Sequence, residues 1–258
     1  MKDAVRAEWT KLRTLVSTFW LLAATATLTI GVSAALTAAN SYPSNSQSQD
    51  TTQLALTGIK LGQAVVAVLA VLAISNEYST GMIDTTLTAI PRRTRLLAAK
   101  GVPLTAVVLL AATVTVAGCL LAARLILPHR GYAPANGFPL LSLSYAPTLR
   151  AAVGSVLYLI LIALLGLGVA AAIRDTAVSI GVMLSLLYLF PLLAQTVNDP
   201  AWHRRLEQVG PTTAGLAIQA TTNLSSLPIS PWAGLGVLAA WSTGALIIGG
   251  LLLHLRDA

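Results

Sequence analysis

Residues 151–196 read AAVGSVLYLILIALLGLGVAAAIRDTAVSIGVMLSLLYLFPLLAQT. Two apolar runs, 151–172 and 176–196, are parted by Ile173, Arg174 and Asp175 alone. Each holds 22 or 21 residues. A helix rising ~1.5 Å per residue needs about 20 residues to cross ~30 Å of hydrocarbon. Two such helices with so short a joint form an antiparallel hairpin, and the charged Arg174–Asp175 pair caps its tip. Barrel strands would be about 10 residues long and would alternate apolar with polar. Neither run does.

The same signature recurs at 19–39, 57–75, 102–123 and 232–253. The reading is an all-α, polytopic membrane protein with six transmembrane helices in a single transmembrane domain spanning 1–258. Composition agrees. Charged residues make up 10% of the 258 and AVILMFWYC 55%, with a mean hydropathy of +0.76. A soluble domain carries about 25% charge, so neither a water-soluble enzyme nor a disordered chain fits. Lys60 lies one turn inside the second run, where its ammonium can snorkel to the interface.

Lys and Arg set the expected orientation. The leader before the first run carries Lys2, Arg6, Lys11 and Arg13, whereas 40–56 carries none. That predicts cytoplasmic N- and C-termini, with Arg92, Arg93, Arg95, Lys100, Arg174 and Arg256 on the same side. A cleaved signal peptide fits the leader poorly, because the first apolar run is about twice as long as a signal peptide's core. The net charge of +7 follows basic residues that flank spans and meet anionic lipid headgroups. No segment is large enough to present a basic face to nucleic acid. Cys119 lies in the third run and is most simply a packing residue.

In the leader, Val5, Trp9, Leu12, Val16 and Phe19 are spaced 4, 3, 4, 3. This predicts an amphipathic helix over 2–18 lying in the inner interface; the plain alternative is an extension of the first span. In 76–101, Met82, Ile83, Thr86, Leu87 and Ile90 mark a short helix that Pro91 ends; a basic cluster follows at Arg92, Arg93 and Arg95, and two short helices broken by the proline can lie along the inner surface. Periodicity alone leaves open whether this segment merely hugs the membrane or docks a partner. The outer segment 124–150 is rich in Pro and Gly and shows no helix period. In 197–231 the stretch 214–227 is too polar to span but suits a shallow re-entrant segment packed on the bundle.

The chemistry expected is sparse. There is no GxxxxGK[ST], HExxH, GxSxG or CxxC, and His129, His203 and His254 stand apart, so no catalytic, cofactor or metal residues are assigned. No Asp or Glu falls within the six runs, which argues against a proton relay. Thr25, Thr29, Ser33 and Thr37 recur every four residues. They either bond their own helix carbonyls or line a substrate path or a subunit seam. Gly58-x-x-x-Gly62 permits close helix approach.

The leader AEWTKLRT, the segment NEYSTGMIDTTLTAIPRRTRLLAAK after the second run, and the ending LLHLRDA resemble the permease subunits of bacterial ATP-binding-cassette (ABC) transporters of the six-span exporter type. The EY-x-x-G element with the later Pro-Arg-Arg is the most specific piece. The resemblance implies a non-catalytic permease in the bacterial cytoplasmic membrane, paired with a second copy or a similar permease. A cytoplasmic ATPase subunit, carrying ATP and magnesium, would dock on it. It also implies that Glu77, Tyr78, Gly81, Ile83, Leu87, Pro91, Arg92 and Arg93 couple to that ATPase, and that Arg6, Glu8, Trp9, Lys11 and Leu12 support the contact. Apolar spans with scattered hydroxyls favour a hydrophobic or amphiphilic cargo. The competing readings are a non-transporting membrane sensor or assembly factor with the same topology and, lowest, a membrane-embedded enzyme.

Overall fold

The computed structural model describes residues 2–14, 16–40, 50–79, 93–132 and 141–256. Among them are helices and no strand: α1 (Lys2–Thr14), α2 (Val16–Ala39), α3 (Thr51–Ala55), α4 (Ile59–Ser79), α5 (Arg93–Ile126) and α6 (Ala146–Ile173). The chain continues with α7 (Thr176–Leu184), a π turn at Ser185–Leu189, α8 (Phe190–Thr196), α9 (Pro200–Val209), α10 (Pro211–Leu216) and α11 (Pro231–Arg256). Six helices, counting α7 through α8 as one, are long and apolar enough to cross a membrane. The protein is therefore a multi-pass, all-α membrane protein.

α6 is the hub. It packs against α4, α5, α7 and α11, while α2 packs on α4 and α5. Its sequence explains why. Small residues alternate with large ones, and Ala151, Gly154, Ser155, Ala163, Gly166, Ala170 and Ala171 are all buried. In a bilayer, close packing takes the place of the hydrophobic effect between helices, so small residues let backbones approach. The tightest approach is with α11. A Cβ added at Gly168 would lie 2.6 Å from the backbone of Ala245, and one at Gly249 would lie 2.7 Å from the Gly168 carbonyl.

Several expected boundaries move. The residues after Pro91 do not form a separate short helix. From Arg93 onward they are the first turns of α5, a single helix of 34 residues with Pro103 inside it. At ~1.5 Å per residue it is about 51 Å long and overshoots a ~30 Å hydrocarbon core. The leader helix is described over Lys2–Thr14, and Val16 and Phe19 lie on α2, where both are exposed. The segment 124–150 is helical at both edges, through Ile126 and from Ala146. The short helix expected over 82–90 lies outside the described residues.

The bundle has two ends. One, here the leader end, carries α1, the last turn of α4, the first turns of α5, the α6–α7 joint and the last turn of α11. The far end carries α3, the start of α6, and α9 and α10. At the far end Pro211, Thr212, Ala214, Gly215 and the 3₁₀ turn Ala217–Gln219 are buried against α6 and α11. The stretch inserted between the ends of α6 and α11 runs from Pro211 to Ala220, and of the expected 214–227 residues 221–227 lie at the surface or only partly covered.

Candidate functional site

At the leader end, α1 lies on the start of α5. Glu8 Oε1 sits 3.0 Å from Lys100 Nζ, and the Lys100 side chain is 1% exposed. A buried ammonium needs a paired anion, since removing one partner leaves an uncompensated charge at a cost of about 3–5 kcal/mol. The pair thus fixes where α1 docks. Trp9 is half-exposed and lines a groove of about 510 Å³ with Thr18, Phe19 and Leu22 of α2 and Leu110 and Val114 of α5.

Tyr78 stands in the last turn of α4. The Arg174 guanidinium lies over its ring, 5.6 Å from the centroid. Arg174 itself closes α6 in the left-handed region, at φ 65°. Its Nη2 donates to the Leu252 carbonyl of α11 at 3.4 Å. Asp175 then caps α7 by accepting from Val178 N at 2.8 Å. One arginine at the hairpin tip therefore touches the exit of the second span and the end of the sixth.

Of the expected coupling residues, Glu77 and Tyr78 lie on α4 and Arg93 on α5. Gly81, Ile83, Leu87, Pro91 and Arg92 lie outside the described residues. Arg6 is exposed on α1, with Lys11 partly covered on the same helix and Leu12 one position further along.

The hydroxyl stripe faces inward. Thr25, Thr29, Ser33 and Thr37 are all buried. Thr25 and Thr37 donate to the carbonyls four residues back, at 2.8 and 2.7 Å. Ser33 Oγ accepts from Gly58 N at 3.0 Å. A Cβ at Gly58 would strike the Thr29 carbonyl and Ser33, and one at Gly62 would strike the Thr29 side chain. The stripe and the Gly58/Gly62 pair are thus two sides of one α2–α4 seam within the chain.

Sequence reasoning missed the polar core and the far-end clamp. Gln63 and Tyr158 are wholly buried, and the Tyr158 hydroxyl donates to Gln63 Oε1. Tyr188 donates to the Lys60 carbonyl at 2.6 Å. Gln219 Nε2 donates to Ser155 Oγ at 3.2 Å. Asp50 caps α3 through Thr52 N and Gln53 N, at 3.1 and 3.0 Å. The same carboxylate accepts from Thr221 N, from Thr221 Oγ1 at 2.7 Å and from Thr222 N at 3.0 Å. Arg150 Nη2 donates to the Ala220 carbonyl at 2.6 Å. The end of the inserted stretch is clamped between an acid and a base drawn from distant parts of the chain. The available signal was a lone Asp50 in 40–56 and an arginine, Arg150, just ahead of an apolar run.

Among the described residues no group of three or more His, Cys, Asp or Glu is placed to hold a metal ion. No known family model matches the chain, and no curated protein does.

Proposed function

We propose that the chain is the permease subunit of an ATP-driven ABC exporter. It works as a pair, with a second copy or a similar permease, and a separate cytoplasmic ATPase docks at the leader end. That end would then face the cytoplasm of a bacterial cell, with α1 in the inner interface, where its lysines and arginines suit anionic headgroups. The subunit catalyses nothing itself. ATP and magnesium belong to the partner ATPase.

The observation that carries the reading is the anchoring of the two helices that flank 80–92. The exit helix is tied by Tyr78 to Arg174 and, through it, to α11. The entry helix is tied by Lys100 to Glu8 of α1. A force applied across 80–92 would pass from α4 to the α6–α7 joint and α11, and from α5 to α1. Closure of two ATPases would draw the two such segments of a pair together and reshape the seam between the subunits. The apolar outer faces of the spans suit a hydrophobic or amphiphilic cargo.

The test is purification of the full chain in mild detergent from its own cells. The expected result is an ATP-hydrolysing subunit recovered with it, and loss of that subunit in Gly81→Pro and Glu77→Lys chains that still insert in the membrane. Recovery of the chain alone, with its cellular activity intact when no ATPase is present, would overturn the reading in favour of a sensor or assembly factor.

A further inference from the structure

α7 and α11 both pack on α6, and between α7–α8 and α11 lies an apolar groove of about 840 Å³. Val182, Leu189, Trp241, Ala245 and Ile248 are among its walls. Gly181 and Gly244 also line it, and a Cβ at either would meet nothing within 4 Å.

The groove is roofed at the far end by α9. Trp241 Nε1 donates to the Val209 carbonyl at 2.9 Å, which ties α9 to the α11 wall. His203 Nδ1 lies 2.9 Å from the Ala194 carbonyl oxygen, which ties it to the end of α8. The roof is basic and aromatic. Trp202, Arg204 and Arg205 are exposed, and the Arg205 guanidinium stacks over the Trp202 ring at 5.4 Å. The acids on this helix are engaged elsewhere. Asp199 caps it through Ala201 N and Trp202 N, and Glu207 pairs with His203 at 3.4 Å. Among the described residues neither Arg204 nor Arg205 meets a carboxylate. Both line a surface hollow of about 440 Å³ with Gln208.

We propose that the groove and its roof form a binding site for an anionic phospholipid. An acyl chain lies between the fifth and sixth spans, and the headgroup phosphate rests on Arg204 and Arg205. The two halves of the site match the two halves of that ligand. A hydrocarbon-lined trough suits a chain, and a guanidinium pair beside an exposed tryptophan suits a headgroup at the interface. A second copy's apolar helix would fill the trough but would leave the unpaired guanidinium groups unused. The inference stands apart from the transport reading.

The experiment equilibrates the full chain, purified in mild detergent, with vesicles of equal phosphatidylglycerol and phosphatidylcholine. Retained lipid is then counted by native mass spectrometry. Wild type should hold phosphatidylglycerol preferentially. Arg204→Gln with Arg205→Gln should keep lipid but lose the preference by about five-fold per arginine, the equivalent of about 1 kcal/mol each. Gly181→Leu with Gly244→Leu fills open space, so folding persists while retention of both lipids falls. Equal retention of the two lipids by wild type, or an unchanged preference in the arginine variant, overturns the proposal. So does a change from dimer to monomer in the glycine variant without lipid loss, which would assign the groove to a second copy.

Discussion

Asp50 offers the sharpest test of how the far end is held. Its carboxylate accepts from five donors, two of them at the start of α3 and three at residues 221–222. Loss of the cap alone costs about 1 kcal/mol. The three cross-chain bonds are charge-assisted but partly exposed, so about 1 kcal/mol each is a fair discount from the ~1.5–3 kcal/mol of a bond to a charged group. Asp50→Ala should therefore destabilise the clamp by about 3–4 kcal/mol. Asp50→Asn should do no better. Whichever way its amide turns, one acceptor oxygen is lost and an NH₂ faces at least two N–H donors, although the shape is kept. A suitable reporter is Ala220→Cys, at a position only 3% exposed, with labelling by a water-soluble maleimide; the chain lacking that cysteine supplies the background from buried Cys119. If opening is in fast equilibrium, a loss of ~3 kcal/mol raises the labelling rate more than 100-fold. Wild-type labelling in Asp50→Asn would refute the acceptor argument. Labelling raised by Ala but not by Asn would show that shape, not acceptor count, holds the segment.

Other consequences follow from single contacts. Glu8→Ala should cost about 3 kcal/mol by removing the carboxylate beside the buried Lys100 ammonium, whereas Glu8→Ala with Lys100→Met should recover most of that loss; thermal unfolding of the four chains of this cycle measures the coupling, and additive losses would contradict it. Tyr158→Phe leaves the buried Gln63 amide unsatisfied and should cost about 1–3 kcal/mol, while adding Gln63→Leu should restore near wild-type stability in the same assay. Gly168→Leu should separate α6 from α11 and sharply reduce recovery of folded protein, whereas Gly181→Leu, which points into open space, should leave it unchanged; equal yields would refute the close-approach account.

The spans were legible because their cause is local. In 151–196 nothing beyond length, hydropathy and the Arg174–Asp175 break is needed to draw the hairpin. The leader shows where local pattern stops. Helical spacing runs unbroken through Val5, Trp9, Leu12, Val16 and Phe19, yet what seats α1 is Glu8, which reaches Lys100, 92 residues away. Periodicity carries no trace of that distant partner. The inserted stretch was half-seen for a similar reason. AGLAIQA is apolar enough to suggest burial, but Pro211 and Thr212 look like loop residues, and both are nonetheless buried. The hydroxyl stripe and the Gly58/Gly62 pair were each visible. That they belong to one seam depends on the registry of α2 against α4, which no one-dimensional pattern encodes. Tyr78 was marked by resemblance, whereas its partner Arg174 looked like no more than a hairpin cap.

The seat of the last span bears on the order in which the chain is made. α11 rests on α6 and on residues 211–220, just ahead of it in sequence. Gly234 of α11 is pressed against the Ala214 carbonyl, and Ser242 Oγ donates to the Leu161 carbonyl at 2.9 Å. Until residues 211–256 emerge from the ribosome, the flank of α6 bearing Ser155, Tyr158 and Gly168 lies bare. A nascent chain stopped at Thr196 would expose that polar, glycine-notched flank to lipid. This gives membrane quality control a mark by which an unfinished molecule differs from a complete one.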